Sequence, residues 1–518
     1  MYQVAGLAKA EVMEASRASI DGLRWLPSLT SVAFVLPLFL LYWQVGGPSA
    51  LLADPDTGLH IRTGDWIVAH HQVPRRDLYS FTIPGKPWCD WEWLSDVLFS
   101  ILHRCGGLGA ITAFSLLVLC LTSMIVYRTA RLHASRTVAL GVTYVVMATT
   151  TIHWLARPHL LTWMLVALFC RVLDDSEFDD LSRRWLLLPL LMALWANLHG
   201  GFIAGLMVIA SYIAGNAAGA ALAGCKECRA AYRQRVRGYT VLIVACLAAT
   251  LINPYFTGLH HHIASYLFSG ASVTGQVSEW LSPDFHNPRL AWFEVMLALG
   301  AAAGLWHGLQ KRFSWCLLTL GSAHLALISV RNVPIFAIVA AVPVAAMIED
   351  LTRRCPWALK LKQMEATLAA ARSGAGAAAP YALGLAVLAV VFGRPSVLRQ
   401  EFDLPVSAVS HQPLGRVFTT DRWADYLIYC DPQRRVFFDT RNDLYGEDFV
   451  RNYLTVMKAQ PGWRESLERY EVIAAMVPPG SSISAGLASA PGWALNYQDH
   501  TAAVYVRTEA STANRQPD

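Results

Sequence analysis

The segment Asp54-Pro55-Asp56-Thr57-Gly58-Leu59-His60 holds two carboxylates and an imidazole within a few positions. Asp56 and His60 are four apart, so a helix puts them on one face. Asp54 stands just before the point where that helix would begin. Such a trio suits a general base, and the aspartates also suit a divalent cation. The same spacing suits plain helix capping by Asp54 or Asp56, and spacing alone leaves both readings open.

Further polar clusters interrupt apolar sequence: Arg157-Pro158-His159, Asn197-Leu198-His199-Gly200-Gly201, Asn253-Pro254-Tyr255, Glu279-Trp280 and Arg331-Asn332. Ionisable groups at membrane depth are costly, and each marks a functional position by default. Arg157 and Arg331 are the candidate phosphate binders, because a guanidinium pairs with phosphate bidentately. His60, His159, His199, Glu279 and Asn332 complete the candidate substrate-binding set. Trp88, Trp91 and Trp93 read as an interfacial anchor, and the intervening Glu92 could line a site. The run His260–His262 reads as packing, since adjacent side chains diverge. Cys225-Lys226-Glu227-Cys228 is at best half a zinc site and reads as incidental.

These clusters need a scaffold, and composition indicates which kind. Of 518 residues, 54% are hydrophobic and 15% charged, against about a quarter charged in soluble chains. A net charge of +5, with no basic run interleaved with aromatics, excludes a nucleic-acid partner. No phosphate-binding G-x-x-x-x-G-K-[ST] loop, G-x-G-x-x-G fingerprint or H-E-x-x-H occurs, so NTP hydrolysis, dinucleotide redox and zincin proteolysis lack support.

A spanning helix needs about 20 apolar residues. That window predicts about eleven spans, at 27–45, 109–127, 137–151, 159–173, 185–197, 202–222, 239–252, 290–306, 313–330, 333–348 and 380–392. Basic residues concentrate in alternate connections: Lys9, Arg17 and Arg24; Arg128, Arg131 and Arg136; Arg229, Arg233 and Arg237; Lys311 and Arg312; Arg353 and Arg354. Positive charge stays inside, so the amino terminus is expected in the cytoplasm. Every polar cluster then faces outward. The expected organisation is a polytopic all-α membrane domain over 1–393, with a first outer loop at 46–108 and a second at 253–289. A small extracytoplasmic α/β domain follows over 394–518. Strands are predicted at 415–419, 435–439, 471–477, 493–497 and 502–507, with helices at 423–430, 447–458 and 463–470 between them. The polar stretch 439–446 reads either as a solvated turn or as an acceptor-saccharide contact.

The stretches Gly64-Asp65-Trp66-Ile67, Val73-Pro74-Arg75-Arg76-Asp77-Leu78-Tyr79-Ser80-Phe81 and Trp91-Glu92-Trp93-Leu94 resemble the first outer loop of bacterial members of the GT-C superfamily. These membrane glycosyltransferases include the protein mannosyltransferase and aminoarabinose transferase types. Asn197–Gly201, Asn253-Pro254-Tyr255, Glu279-Trp280, Arg331-Asn332 and 438–446 resemble the same group, so the likeness covers most of the chain. It implies a polyprenyl-phosphate sugar donor, a glycan, lipid or protein acceptor on the outer face of the bacterial cytoplasmic membrane, and an acidic residue of the first outer loop as base or metal holder. Asp54 and Asp56 occupy that place, as Asp-Pro-Asp rather than the adjacent Asp-Glu of the protein mannosyltransferases. The expected mechanism is a single displacement at the anomeric carbon. Asp56 would be the base, while Arg157 and Arg331, with His159 or His199, would offset charge on the departing phosphate. The rival classes are a transporter, disfavoured by the lack of paired broken helices, and a non-catalytic assembly factor for surface polysaccharide.

Overall fold

The computed structural model describes residues 27–176, 183–268, 278–371, 374–393 and 404–508. Lys9, Arg17 and Arg24, on which part of the orientation argument rests, lie outside the described residues, as does 269–277 of the second outer loop.

Each of the eleven apolar segments is helical. The principal helices are α1 (Leu29–Leu40), α2 (Asp56–His70), α3 (Trp93–Ala130), α4 (Arg136–Thr150), α5 (His159–Ser176), α6 (Leu187–Leu198) and α7 (Phe202–Leu222). They continue with α8 (Lys226–Ala249), α9 (Thr257–Phe268), α10 (Ala291–Leu309), α11 (Phe313–Ile328), α12 (Val333–Thr352), α13 (Pro356–Ala371) and α14 (Gly374–Phe392). Among the described residues, four helical stretches are long and apolar enough to cross a bilayer: Trp93–Ala130, Phe202–Leu222, Pro288–Leu309 and Val330–Thr352. Shorter apolar helices cover Leu29–Val45, Leu187–Leu198, Phe313–Ile328 and Ala378–Phe392. The chain is a multi-pass membrane protein.

Helix α3 is 38 residues long, about 57 Å at 1.5 Å per residue. It bends at Gly106-Gly107, where Gly107 adopts φ 60°, ψ −155°, a conformation only glycine takes without strain. Its amino-terminal arm packs against α2. Gly64 makes that approach possible, because a Cβ there would lie 1.9 Å from the Asp96 carbonyl oxygen.

The carboxy-terminal unit carries a four-stranded sheet in the order β1-β2-β4-β3, from β1 (Val417–Thr419), β2 (Ala474–Val477), β3 (Trp493–Gln498) and β4 (Ala503–Arg507). β1 and β2 are parallel, and the other pairs are antiparallel. Helices α15 (Asp421–Cys430), α17 (Glu447–Met457) and α18 (Trp463–Arg469) all lie between β1 and β2, the single turn α16 (Asn442–Tyr445) precedes α17, and α19 (Ser482–Ser489) separates β2 from β3. The strand expected at 435–439 is absent from this sheet. Val436 instead bridges in parallel to Ser80 of the first outer loop, with Phe81 N–H donating to Val436 O and Val436 N–H to Tyr79 O. An edge that needed a partner found it in the other unit.

The stretch 439–446 is not a solvated turn, since Asp439, Arg441, Leu444 and Tyr445 are buried. Arg441, 7% exposed, bonds to Asp77 of the outer loop at 2.8 Å and to Asp439 at 2.6 Å. Its guanidinium lies against the Tyr79 and Trp88 rings at 5.1 and 4.5 Å. A buried guanidinium so paired and stacked satisfies the demands of burial, and it clamps the two units together.

Candidate active site

Asp56 begins α2, and its backbone N–H donates to Asp54 Oδ1 at 3.2 Å. Asp54 therefore caps the local turn, as the bland reading allowed, yet its other oxygen is free for a further partner. Two backbone-anchored bonds bring the Arg157 turn alongside: Thr57 Oγ1 donates to Ala156 O at 2.9 Å, and Ala156 N–H to Leu51 O at 2.7 Å. Arg157 then reaches three carboxylates, Asp56 Oδ2 at 2.6 Å, Asp54 Oδ2 at 3.1 Å and Glu279 Oε1 at 3.2 Å. Glu279 is carried by a single 3-10 turn, held by Ser329 Oγ donating to its carbonyl at 2.8 Å.

A second layer lies behind the first. His60 Nδ1 is 2.6 Å from Asp96 Oδ1, a contact that the bare Gly64 surface permits. Its Nε2 makes no hydrogen bond among the described residues, standing 3.6 Å from Glu92 Oε2 and 3.8 Å from Asp56 Oδ2. Glu92 also meets His199 Nε2 at 3.3 Å. His199 Nδ1 receives the Gly201 N–H and lies 2.9 Å from Thr162 Oγ1. This places the imidazole proton on Nε2, facing Glu92. Arg331 approaches the same nitrogen at 3.4 Å and covers the Trp280 ring at 5.4 Å. It forms no ion pair among the described residues.

The carboxy-terminal unit supplies one more group. Thr440 Oγ1 lies 3.1 Å from Asp56 Oδ1 and 2.7 Å from Asp425 Oδ2. One hydroxyl proton cannot serve two carboxylates. Burial, and then Asp56, holds the Asp425 carboxyl well above its ordinary range. The Thr440 hydroxyl thus stands between the two carboxyls, within donating distance of each.

The carboxyls respond differently to this setting. Burial would raise Asp56, but Arg157, His60 and the Thr440 hydroxyl outweigh it and hold it below its ordinary value. Burial wins at Asp54, which lies above it despite Arg157. Glu279 is buried too, yet Arg157 and His153 bring it below its ordinary value. Burial pushes Glu92 up to about 6 against the pull of His60.

Asp54, Asp56, His60, Arg157 and Glu279 thus converge, and Glu92 joins His199 and Arg331 to them. His159 and Asn332 turn away: His159 Nε2 donates to His153 O at 3.0 Å, and Asn332 Nδ2 to Leu325 O at 3.1 Å. Both bond backbone carbonyls rather than the carboxylate cluster. Asp96 was not singled out from sequence, and Thr440 entered only as part of the stretch 439–446. Asp96 carried a usable signal, since it lies four positions after Glu92 on one helical face. Thr440 carried none, because its partner is 384 residues away.

Asp54 and Asp56, expected as candidate ligands of a divalent cation, do not fit that role as arranged. Arg157 stands between them, and among the described residues no group of three His, Cys, Asp or Glu side chains is placed to hold a metal ion.

No family model matches the sequence, and no curated protein does. Solved structures do. Archaeal oligosaccharyltransferase AglB from Archaeoglobus fulgidus, in complex with an inhibitory peptide and a dolichol-phosphate, superposes with TM-score 0.57 at 10% identity, over 87% of this chain and 69% of that one. The chain shares the overall fold of these structures. The apo form of the Archaeoglobus fulgidus oligosaccharyltransferase gives 0.56 at 11% identity over 86% and 69%, and its complex with Zn and sulfate gives 0.52 at 10% over 87% and 68%. Within this fold, the carboxylate cluster lies at the end of the helical bundle that meets the carboxy-terminal unit through Thr440. Arg128 and Arg131 lie at the far end of α3, beyond its bend.

Proposed function

We propose that this protein is a membrane glycosyltransferase that moves a sugar from a polyprenyl-phosphate-linked donor to an acceptor hydroxyl. The site faces outward from the bacterial cytoplasmic membrane, and the amino terminus is cytoplasmic. The observation that carries this reading is the meeting of an anion-binding group and a proton acceptor drawn from distant segments. Among the described residues Arg331 forms no ion pair, while Asp56 is held as a carboxylate. A donor whose tail stays in the bilayer presents its phosphate at the interface, where a guanidinium not held in an ion pair can receive it.

Arg331, with the His199 Nε2–H beside it, steadies charge growing on the departing phosphate. Asp56 takes the acceptor proton. A glycosyl transition state has oxocarbenium character, so the attacking hydroxyl becomes acidic as its bond forms and an ordinary carboxylate suffices as base. Arg157 fixes the Asp56 carboxylate rather than binding the phosphate, because its donors already point to Asp54, Asp56 and Glu279. Transfer from a polyprenyl-phosphate sugar, followed by the purified full-length protein in lipid, tests this. Asp56→Asn keeps the shape and should lose about 10²–10⁴-fold in rate, and Arg331→Gln should chiefly weaken use of the donor. Undiminished transfer by Asp56→Asn would overturn the assignment of the base.

A further inference from the structure

We infer that Arg157 is the resident cation of this site, doing for Asp54, Asp56 and Glu279 what a divalent metal ion would otherwise do. The inference deepens the proposed reaction by stating which cation holds the acidic groups, and its test needs no turnover.

The geometry is that of a filled cation site. Arg157 Nη1 lies 3.1 Å from Asp54 and 3.2 Å from Glu279, and Nη2 lies 2.6 Å from Asp56. Three carboxylates from two separate segments, Asp54 and Asp56 of one and Glu279 of the other, are thus gathered by one side chain. A magnesium ion would require its oxygens at about 2.0–2.1 Å in a near-octahedral array, so the ligands would crowd within a few ångströms of one another. A guanidinium is a planar fork whose nitrogens hold their acceptors apart, and the carboxylates are spread around that fork.

The charge is also accounted for. Arg157 keeps its proton at any working pH: burial opposes the charge, but Asp56, Glu279 and Asp54 together outweigh it. Arg331 supplies a second positive charge to the same group, acting on Asp56, Glu92 and Glu279. The residues tying the turn in place, Thr57 and Leu51 bonding Ala156, fix the backbone next to Arg157, so the cation is positioned by the fold. A metal is exchangeable, and its loading depends on the medium. A covalently attached guanidinium is neither.

The test is manganese binding to the full-length protein in detergent, followed by the electron paramagnetic resonance signal of free Mn²⁺. Wild type should bind no stoichiometric Mn²⁺ that is lost on Asp54→Asn/Asp56→Asn substitution. Arg157→Ala leaves three carboxylates without their cation, and should acquire one Mn²⁺ per chain with at least tenfold higher affinity than wild type. Adding Asp56→Asn to that variant should remove the gain. Arg157→Gln, closer in size, provides the same comparison if the alanine variant does not fold. Stoichiometric Mn²⁺ on wild type that disappears with Asp54→Asn/Asp56→Asn would overturn the inference. So would an Arg157→Gln protein, folded by its thermal transition, that binds no more Mn²⁺ than wild type. Either result leaves the transferase reading to be judged by sugar transfer alone.

Discussion

Asp56 and Glu92 lie close together, linked through His60, yet they are tuned in opposite directions. Arg157 and Thr440 keep Asp56 ionised into acid, while burial lifts Glu92 to about 6. The sign of the pH dependence follows. If Asp56 is the base, its working form persists as pH falls past 6, and kcat/KM stays flat there. If Glu92 is the base, its carboxylate is lost below about 6, and kcat/KM falls tenfold per unit on the acid side. A profile measured between pH 5 and 8 separates the two. Thr440 offers a second test at this scale. Thr440→Val preserves shape and removes one hydrogen bond to a charged group, worth about 1.5–3 kcal/mol. kcat should drop by roughly tenfold to a hundredfold with KM little changed, and Thr440→Ser should restore most of the rate.

Among the elements, α2 decides the site, and it does so through its bare positions. Gly64 lets the Asp96 carbonyl approach, and Gly58 lies under the Tyr429 side chain, where a Cβ would sit 2.6 Å from its Cβ. Gly64→Ala must push backbone aside. Overpacking of this kind costs about 1–3 kcal/mol, sometimes more, so the thermal transition in detergent should fall and His60 should lose its register with Asp96. Helices were readable because long apolar runs leave little choice: the run at 202–222 returns as α7, and the run at 313–330 as α11, which ends at Ile328. The shared face of Asp56 and His60 was readable from their spacing of four. The partners of that face were not, because periodicity reports which way a side chain points and not what arrives opposite. Val436 shows the same limit. Its strand-like composition was legible, but its pairing with Ser80 rather than with the sheet depends on a loop hundreds of residues earlier.

For the whole molecule, the carboxy-terminal unit is fastened to the first outer loop by contacts spread over its face. Arg62 donates to Tyr429 O, Arg422 to Ala53 O, Lys86 to Tyr445 O, and Arg441 pairs with Asp77. Arg441→Met removes one partner from a fully buried ionic group and should cost about 3–5 kcal/mol, read as a lower unfolding midpoint in detergent. Arg451→Met is the control: its pairs with Glu447 and Asp448 are exposed and such pairs are worth at most about 1 kcal/mol, so the midpoint should hardly move. The hydroxyl on Asp56 has a consequence in time as well as in space. A ribosome threads Asp56 into the membrane 384 residues before it makes Thr440. Throughout that interval Asp56 stands without the hydroxyl that later reaches it, so this contact belongs to the end of synthesis.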